Sequence, residues 1–514
     1  MLLRVRILGW LLLLLCAAPV AAEVELAGVF GDGMVLQRGA KVPLWGRAEP
    51  GETVRVEFAG QQVSTSAASD GRWMVWLEPM EALVDRELTV IGSNTLTRQR
   101  VCVGEVWICS GQSNMAWQVR AAKDAEQEVA AANDRWLRLF SVPHKVANEP
   151  LTDVAGAWHG TDPKSVANFS AVAYFFGRQL RMRLDVPVGL IHTSWGGTPA
   201  EAWTSMETLS ALQEMKPTLQ RWEQHLAQWP ELKQRYDVEF KKWQKAAQRA
   251  KREKQQPPRR PRPPLGPDSP HIPAGLYNGM IAPLLPYGIR GAIWYQGESN
   301  AGRADQYRTL FPAMITDWRQ RFHQGEFPFL FVQLANFKKR ADTPGESDWA
   351  ELREAQRLTL RLPATGMAVT IDIGEANDIH PKNKQEVGRR LSLWALHSAY
   401  GRTGTPHSGP LPVEAKRHGR KFRVTFEHVG EGLGTADGLM LRGFAIAGKD
   451  KRWHWALAEA KGDQVEVWHP DVRKPVAVRY GWADNPDCNL VNSAGLPAST
   501  FRTDDWPWTT AGKG

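Results

Sequence analysis

Residues 23 to about 100 alternate apolar and polar positions in short runs: Met34-Val35-Leu36-Gln37, Val42-Pro43-Leu44-Trp45-Gly46, Thr53-Val54-Arg55-Val56-Glu57-Phe58 and Trp73-Met74-Val75-Trp76-Leu77. Turn signals such as Glu49-Pro50-Gly51 and Ser69-Asp70-Gly71 separate them at the spacing of an all-β sandwich. From about 101 the texture changes. Apolar strand candidates at 188–193, 291–295 and 327–332 alternate with helical spacing at 171–184, 307–322, 349–360 and 384–400. Strand and helix in alternation predict an α/β domain over 101–404, with a mostly parallel sheet covered on both faces. Period-two runs return after about 405, at 421–426, 444–447, 464–468 and 477–480, and predict a C-terminal β domain over 405–514.

Two segments depart from this plan. Residues 209–254 read as a long charged helix followed by a proline-rich stretch at 257–273, which cannot continue a helix and favours extended chain. Together, at about 209–273, they form an insertion in the α/β domain. At the N-terminus, Met1-Leu2-Leu3-Arg4-Val5-Arg6 precedes an apolar run and then Ala21-Ala22. Basic, apolar and small-residue regions in that order predict a signal peptide over 1–22. The apolar run is short for a bilayer span. The expectation is an exported protein, periplasmic or extracellular, without stable membrane insertion.

Composition narrows the choice further. The 514 residues carry a formal charge of +9. Between 241 and 262 there are ten Lys or Arg against one acidic residue, Glu253, so this one segment accounts for the whole net charge. A chain-wide nucleic-acid surface is therefore excluded, and the insertion is expected to be a solvated basic helix and loop. Outside the signal the cysteines are Cys102, Cys109 and Cys488, an odd number whose spacing fits no metal-site pattern. One disulfide plus a free thiol and three free thiols are both compatible with that count. The 23 tryptophans suit aromatic-lined sugar clefts as well as a packed core.

Four blocks carry chemistry, each where a strand meets a loop. The first is Gly111-Gln112-Ser113-Asn114, a glycine turn that lifts a serine hydroxyl off the end of a strand. The second, Thr193-Ser194-Trp195-Gly196-Gly197-Thr198-Pro199, has paired glycines whose amides can approach a developing oxyanion. The third, Trp294-Tyr295-Gln296-Gly297-Glu298-Ser299-Asn300, repeats the serine turn and makes Ser299 a rival nucleophile. Its side-chain amides can donate to an oxyanion, the role favoured for Gln296. The fourth is Asp378-Ile379-His380-Pro381. Residues two apart in an extended segment share a side, so Asp378 can orient His380 as a general base.

These blocks, in this order, resemble the sialate O-acetylesterase branch of the SGNH (GDSL-like) hydrolases. The resemblance continues through Asn278-Gly279-Met280-Ile281-Ala282-Pro283-Leu284 and Phe501-Arg502-Thr503-Asp504-Asp505-Trp506. It implies an SGNH-hydrolase-like sheet flanked by β-sandwich-like domains. It implies Ser113 as nucleophile, His380 as base and Asp378 as its acid, with oxyanion donors from the Ser113 and Gly196 backbones and from Gln296. Many members have Asp three residues before the histidine, where this chain has Asn377, which keeps Glu375 as a fallback acid. Asn300 competes with Gln296 as a donor. Asn114, Glu298 and Asn300 are candidates for contacting substrate or orienting the site. The implied reaction is cofactor-free and metal-free removal of O-acetyl groups from a sugar or glycan, sialic acid first. An esterase for another acetylated glycan such as xylan and a non-catalytic glycan-binding protein are the alternatives.

Overall fold

The computed structural model describes residues 23–513; the signal-peptide expectation over 1–22 lies outside the described residues. Its centre is a mixed sheet whose main path runs Trp158–Thr161, Asp134–Ser141, Val188–His192, Thr95–Gly111, Gly291–Tyr295, Phe329–Val332 and Thr365–Ala368. Every neighbouring pair on this path is parallel except the outermost, where Trp158–Thr161 runs antiparallel to Asp134–Ser141. The expected parallel sheet is thus mixed at one edge.

Two helix pairs cover the sheet. Trp107 pairs in register with Gly291, so Trp107 and Trp294 point to opposite faces. On the first face, Trp107 meets Phe176 of the helix Ala171–Leu184, which packs against Lys384–Ser398. On the other, Trp294 lies among Phe311 and Trp318 of Ala304–Phe322, which packs against Asp348–Thr359. Full burial of Trp107, Trp203, Trp294 and Trp318 shows where several of the tryptophans go. Burying side chains of this size contributes on the order of 2–3 kcal/mol each.

The strand Thr95–Gly111 is the structural hinge of the chain. Its first half pairs with Leu83–Ile91 in the N-terminal β region, and its second half forms the middle of the central sheet. Arg100, at the expected domain boundary, takes a left-handed φ of 55° within this one strand. Accordingly a single hydrophobic core runs from Val24 to Leu411, whereas the C-terminal β region has its own, built on Val424, Ile446, Val465, Val478 and Phe501. Two four-stranded sheets and a two-stranded ribbon frame that second core.

Buried arginines dock the C-terminal region. Arg353 is fully buried and donates to the carbonyls of Leu334, Ala335, Ala483 and Asp484. Arg479, equally buried, pairs with Asp504 at 2.8 Å and with Glu346 at 2.9 Å. Among the described residues, Cys102, Cys109 and Cys488 are free thiols. In the insertion, Lys216–Arg252 forms one exposed helix, and the proline-rich segment folds back on it: Trp243 Nε1 donates to the Pro258 carbonyl and Arg260 stacks over Phe240. Among the described residues, no helix is long and apolar enough to cross a membrane.

Candidate active site

The serine turn exists because Gly111 has no side chain. Its φ is 139°, and a Cβ there would fall 2.2 Å from the Tyr295 carbonyl oxygen. The chain can therefore press against the next strand and turn at once into the short helix Ser113–Ala116. Gln112 fixes the turn from below, since its buried Oε1 accepts the N–H groups of Gly297 and Ser299 in the third block.

Block two runs alongside. Trp195 donates its N–H to the Gly111 carbonyl, which carries the following glycine to the serine. A Cβ on Gly196 would lie 3.4 Å from Ser113 Cβ. Among the described residues, no acceptor engages the backbone N–H of Ser113 or of Gly196. Gly196 thus lies against Ser113, and both residues keep a backbone N–H available to an acceptor.

The fourth block delivers the histidine. Ser113 Oγ donates to His380 Nε2 at 2.9 Å. Asp378 Oδ1 accepts the His380 backbone N–H at 2.9 Å and stands 3.5 Å from His380 Nδ1. Glu375 Oε1 accepts the Lys382 backbone N–H. The His380 ring stacks on Trp117 with centroids 4.9 Å apart. Burial holds its pKa below the ordinary 6.5, the charge of Lys384 adds to that effect, and Asp378 opposes it. A base that stays neutral at mildly acidic pH is the consequence.

Ser299 offers only its backbone N–H to Gln112, and the histidine belongs to Ser113. Other histidines near the site have other partners. His192 Nε2 meets Ser194 Oγ and burial drives its pKa down to about 4, while His144 stacks on Trp195 at 4.1 Å.

Gln296 has a different partner set from the one expected of an oxyanion donor. Its Nε2 donates to the Thr198 carbonyl at 3.3 Å and to Asn300 Oδ1 at 2.7 Å, which engages both amide hydrogens. Asn300 in turn donates to Glu201 at 2.9 Å and accepts from Ala200 N, and Glu201 pairs with Arg303. Gln296 and Asn300 therefore brace block two against block three.

Asn114 and Glu298 also have structural partners. Asn114 Nδ2 donates to Glu298 Oε1 at 2.6 Å and to the Ile379 carbonyl at 3.0 Å, joining the nucleophile helix to the histidine loop. Lys384 Nζ donates to Asn114 Oδ1. Lysine at the start of an amphipathic helix reads as a surface residue, and only the tertiary packing reveals its burial.

A family model of carbohydrate esterases, the sialic acid-specific acetylesterases, matches residues 103–247 and 274–396. The chain belongs to this family. It is 30% identical to human sialate O-acetylesterase over 547 residues, covering 96% of each protein. Against the mouse sialate O-acetylesterase it is 33% identical over 549 residues, with 96% of this chain and 97% of that protein covered. Among solved structures, a carbohydrate acetylesterase from Xanthomonas citri superposes with a TM-score of 0.80 at 39% identity, over 94% of this chain and 100% of that one. As a member of the sialic acid-specific acetylesterases the protein is a carboxylic-ester hydrolase, which removes the non-catalytic binder from consideration. The matched segments contain all four blocks, and the gap between them, 248–273, falls in the basic and proline-rich insertion.

Proposed function

We propose that this protein hydrolyses O-acetyl esters of sialic acid by a serine acyl-enzyme mechanism on an SGNH-like core. The observation that carries the reading is the Ser113 to His380 hydrogen bond of 2.9 Å beside the free N–H groups of Ser113 and Gly196. Ser113 Oγ attacks the acetyl carbonyl carbon as its proton passes to His380 Nε2. The two backbone donors hold the resulting oxyanion, and Asp378 orients the imidazolium. His380 then protonates the departing sugar oxygen, leaving acetyl-Ser113. Water, deprotonated by the same histidine, attacks this ester and releases acetate.

The sugar is read from the relatives named sialate O-acetylesterase over nearly their whole length. A second reading, an esterase for another acetylated glycan, draws on the Xanthomonas citri carbohydrate acetylesterase. Acetate release from O-acetylated sialic acid and from acetylated xylan, compared as kcat/KM, separates them: preference for the sialic acid ester supports the first and preference for xylan supports the second. Residues 1–22 are proposed to direct export, with a mature N-terminus at Glu23 that sequencing of the purified protein would test.

A further inference from the structure

Lys384 occupies a position that is unfavourable for a lysine in two ways. It is fully buried, and it is the first residue of the helix Lys384–Ser398, where the helix dipole is positive. What the residue does have is a built environment under the reacting groups. Nζ donates to Asn114 Oδ1, and the amide of Asn114 reaches both Glu298 and the carbonyl of Ile379, the residue before His380. The ammonium also lies 5.3 Å from the centre of the Tyr295 ring and 5.8 Å from that of Trp117, which itself stacks on His380.

We propose that Lys384 is a positioning residue for ester hydrolysis, locking Asn114 so that the His380 loop is held against the Ser113 helix. Its donor fixes which end of the Asn114 amide faces the loop. Without it, Asn114 Oδ1 is left buried without that donor and the bond to Ile379 loses its support. The inference rests on the serine mechanism proposed above.

Charge adds a second effect. Lys384 is faced by Glu298 from block three, by Asp378 and Glu375 from the histidine loop, and by the rings of Tyr295 and Trp117. Burial lowers its pKa to about 7 against the pull of these carboxylates, so it is still largely cationic where His380, below 6.5, titrates. A cation here favours neutral His380. Removing it raises the histidine pKa and moves the acid limb of activity to higher pH.

The test compares wild type, Lys384→Met and Lys384→Gln on a chromogenic acetyl ester, with thermal midpoints recorded alongside. Lys384→Met is expected to lose about 10- to 100-fold in kcat with KM within about twofold. The acid limb of kcat/KM is expected to rise by about 0.5 to 1 pH unit in both variants. Lys384→Gln keeps a donor for Asn114 and is expected to retain more kcat than Lys384→Met, while showing the same limb shift. Should Lys384→Met not fold, the limb of Lys384→Gln decides. An acid limb at the wild-type position, or wild-type kcat in Lys384→Met, overturns the proposal. Ser113→Ala measured in parallel separates the two ideas: an active Ser113→Ala sinks the serine mechanism, whereas an inactive one with unshifted Lys384 variants sinks only the role of Lys384.

Discussion

Ser113 and His380 are 267 residues apart in sequence and 2.9 Å apart in space, the serine hydroxyl donating to Nε2 of the ring. The strand Thr95–Gly111, in the middle of the central sheet, carries the first at its C-terminal end. The loop after Thr365–Ala368, three strands away in the sheet, brings the second. Asn114 ties the two by its bond to the Ile379 carbonyl.

Activity should extend to mildly acidic pH. The base must be neutral, and burial with the charge of Lys384 holds the His380 pKa below 6.5. The rate therefore falls only as pH drops through that lowered value, so the acid limb of kcat/KM is expected below pH 6.5. A limb well above 6.5 in a pH-rate profile would contradict this environment.

Asp378 and Glu375 are distinguished by their partners. Asp378→Asn is expected to lower kcat by about 10²- to 10⁴-fold through a misoriented imidazole. Glu375→Gln, whose native carboxylate serves the Lys382 backbone, is expected to stay within about tenfold of wild type. The reverse order in steady-state kinetics would make Glu375 the acid.

Gly196 lies against Ser113. In Gly196→Ala the added methyl sits in ordinary contact 3.4 Å from Ser113 Cβ and takes up space beside that hydroxyl. A loss of about 10- to 100-fold in kcat is expected, with the thermal midpoint nearly unchanged. Wild-type kcat would show that the reaction does not need this space beside Ser113.

The C-terminal region should depend on one carboxylate. Asp504 is buried against Arg479 and Arg502, and Asp504→Ala leaves two arginines without it. Breaking such a pair costs about 3–5 kcal/mol. Burial pushes the Asp504 carboxyl up, but pairing with Arg479 and Arg502 outweighs it and holds the pKa below its ordinary 3.8, so this stability is present at neutral pH and is lost as pH falls through the lowered pKa. Denaturant unfolding of wild type and Asp504→Ala at neutral pH measures the difference.

Much of this was legible in the sequence wherever local pattern decides geometry. The helix Ala171–Leu184 and the strand Gly291–Tyr295 fall where the hydrophobic pattern places them, because the helix buries an apolar face and the strand is buried on both of its faces. The serine turn is written in Gly111, whose missing side chain is a local requirement. Asp134–Ser141 is absent from the pattern because Asp134, Arg135 and Arg138 interrupt it, their charges answered by distant partners such as Arg181 and Asp85. Gln296 and Lys384 show the same limit at the site. Which way an amide points, and whether a helix-start lysine is buried, depends on residues far away in sequence, here Thr198, Asn300 and Asn114.

Acetate release from a chromogenic acetyl ester by wild type, Ser113→Ala and Ser299→Ala tests the central claim most directly. Ser113→Ala is expected to lose at least about 10³-fold in kcat, and Ser299→Ala, whose hydroxyl lacks the histidine, is expected to remain within about tenfold of wild type. Undiminished turnover by Ser113→Ala, or a loss confined to Ser299→Ala, would contradict it.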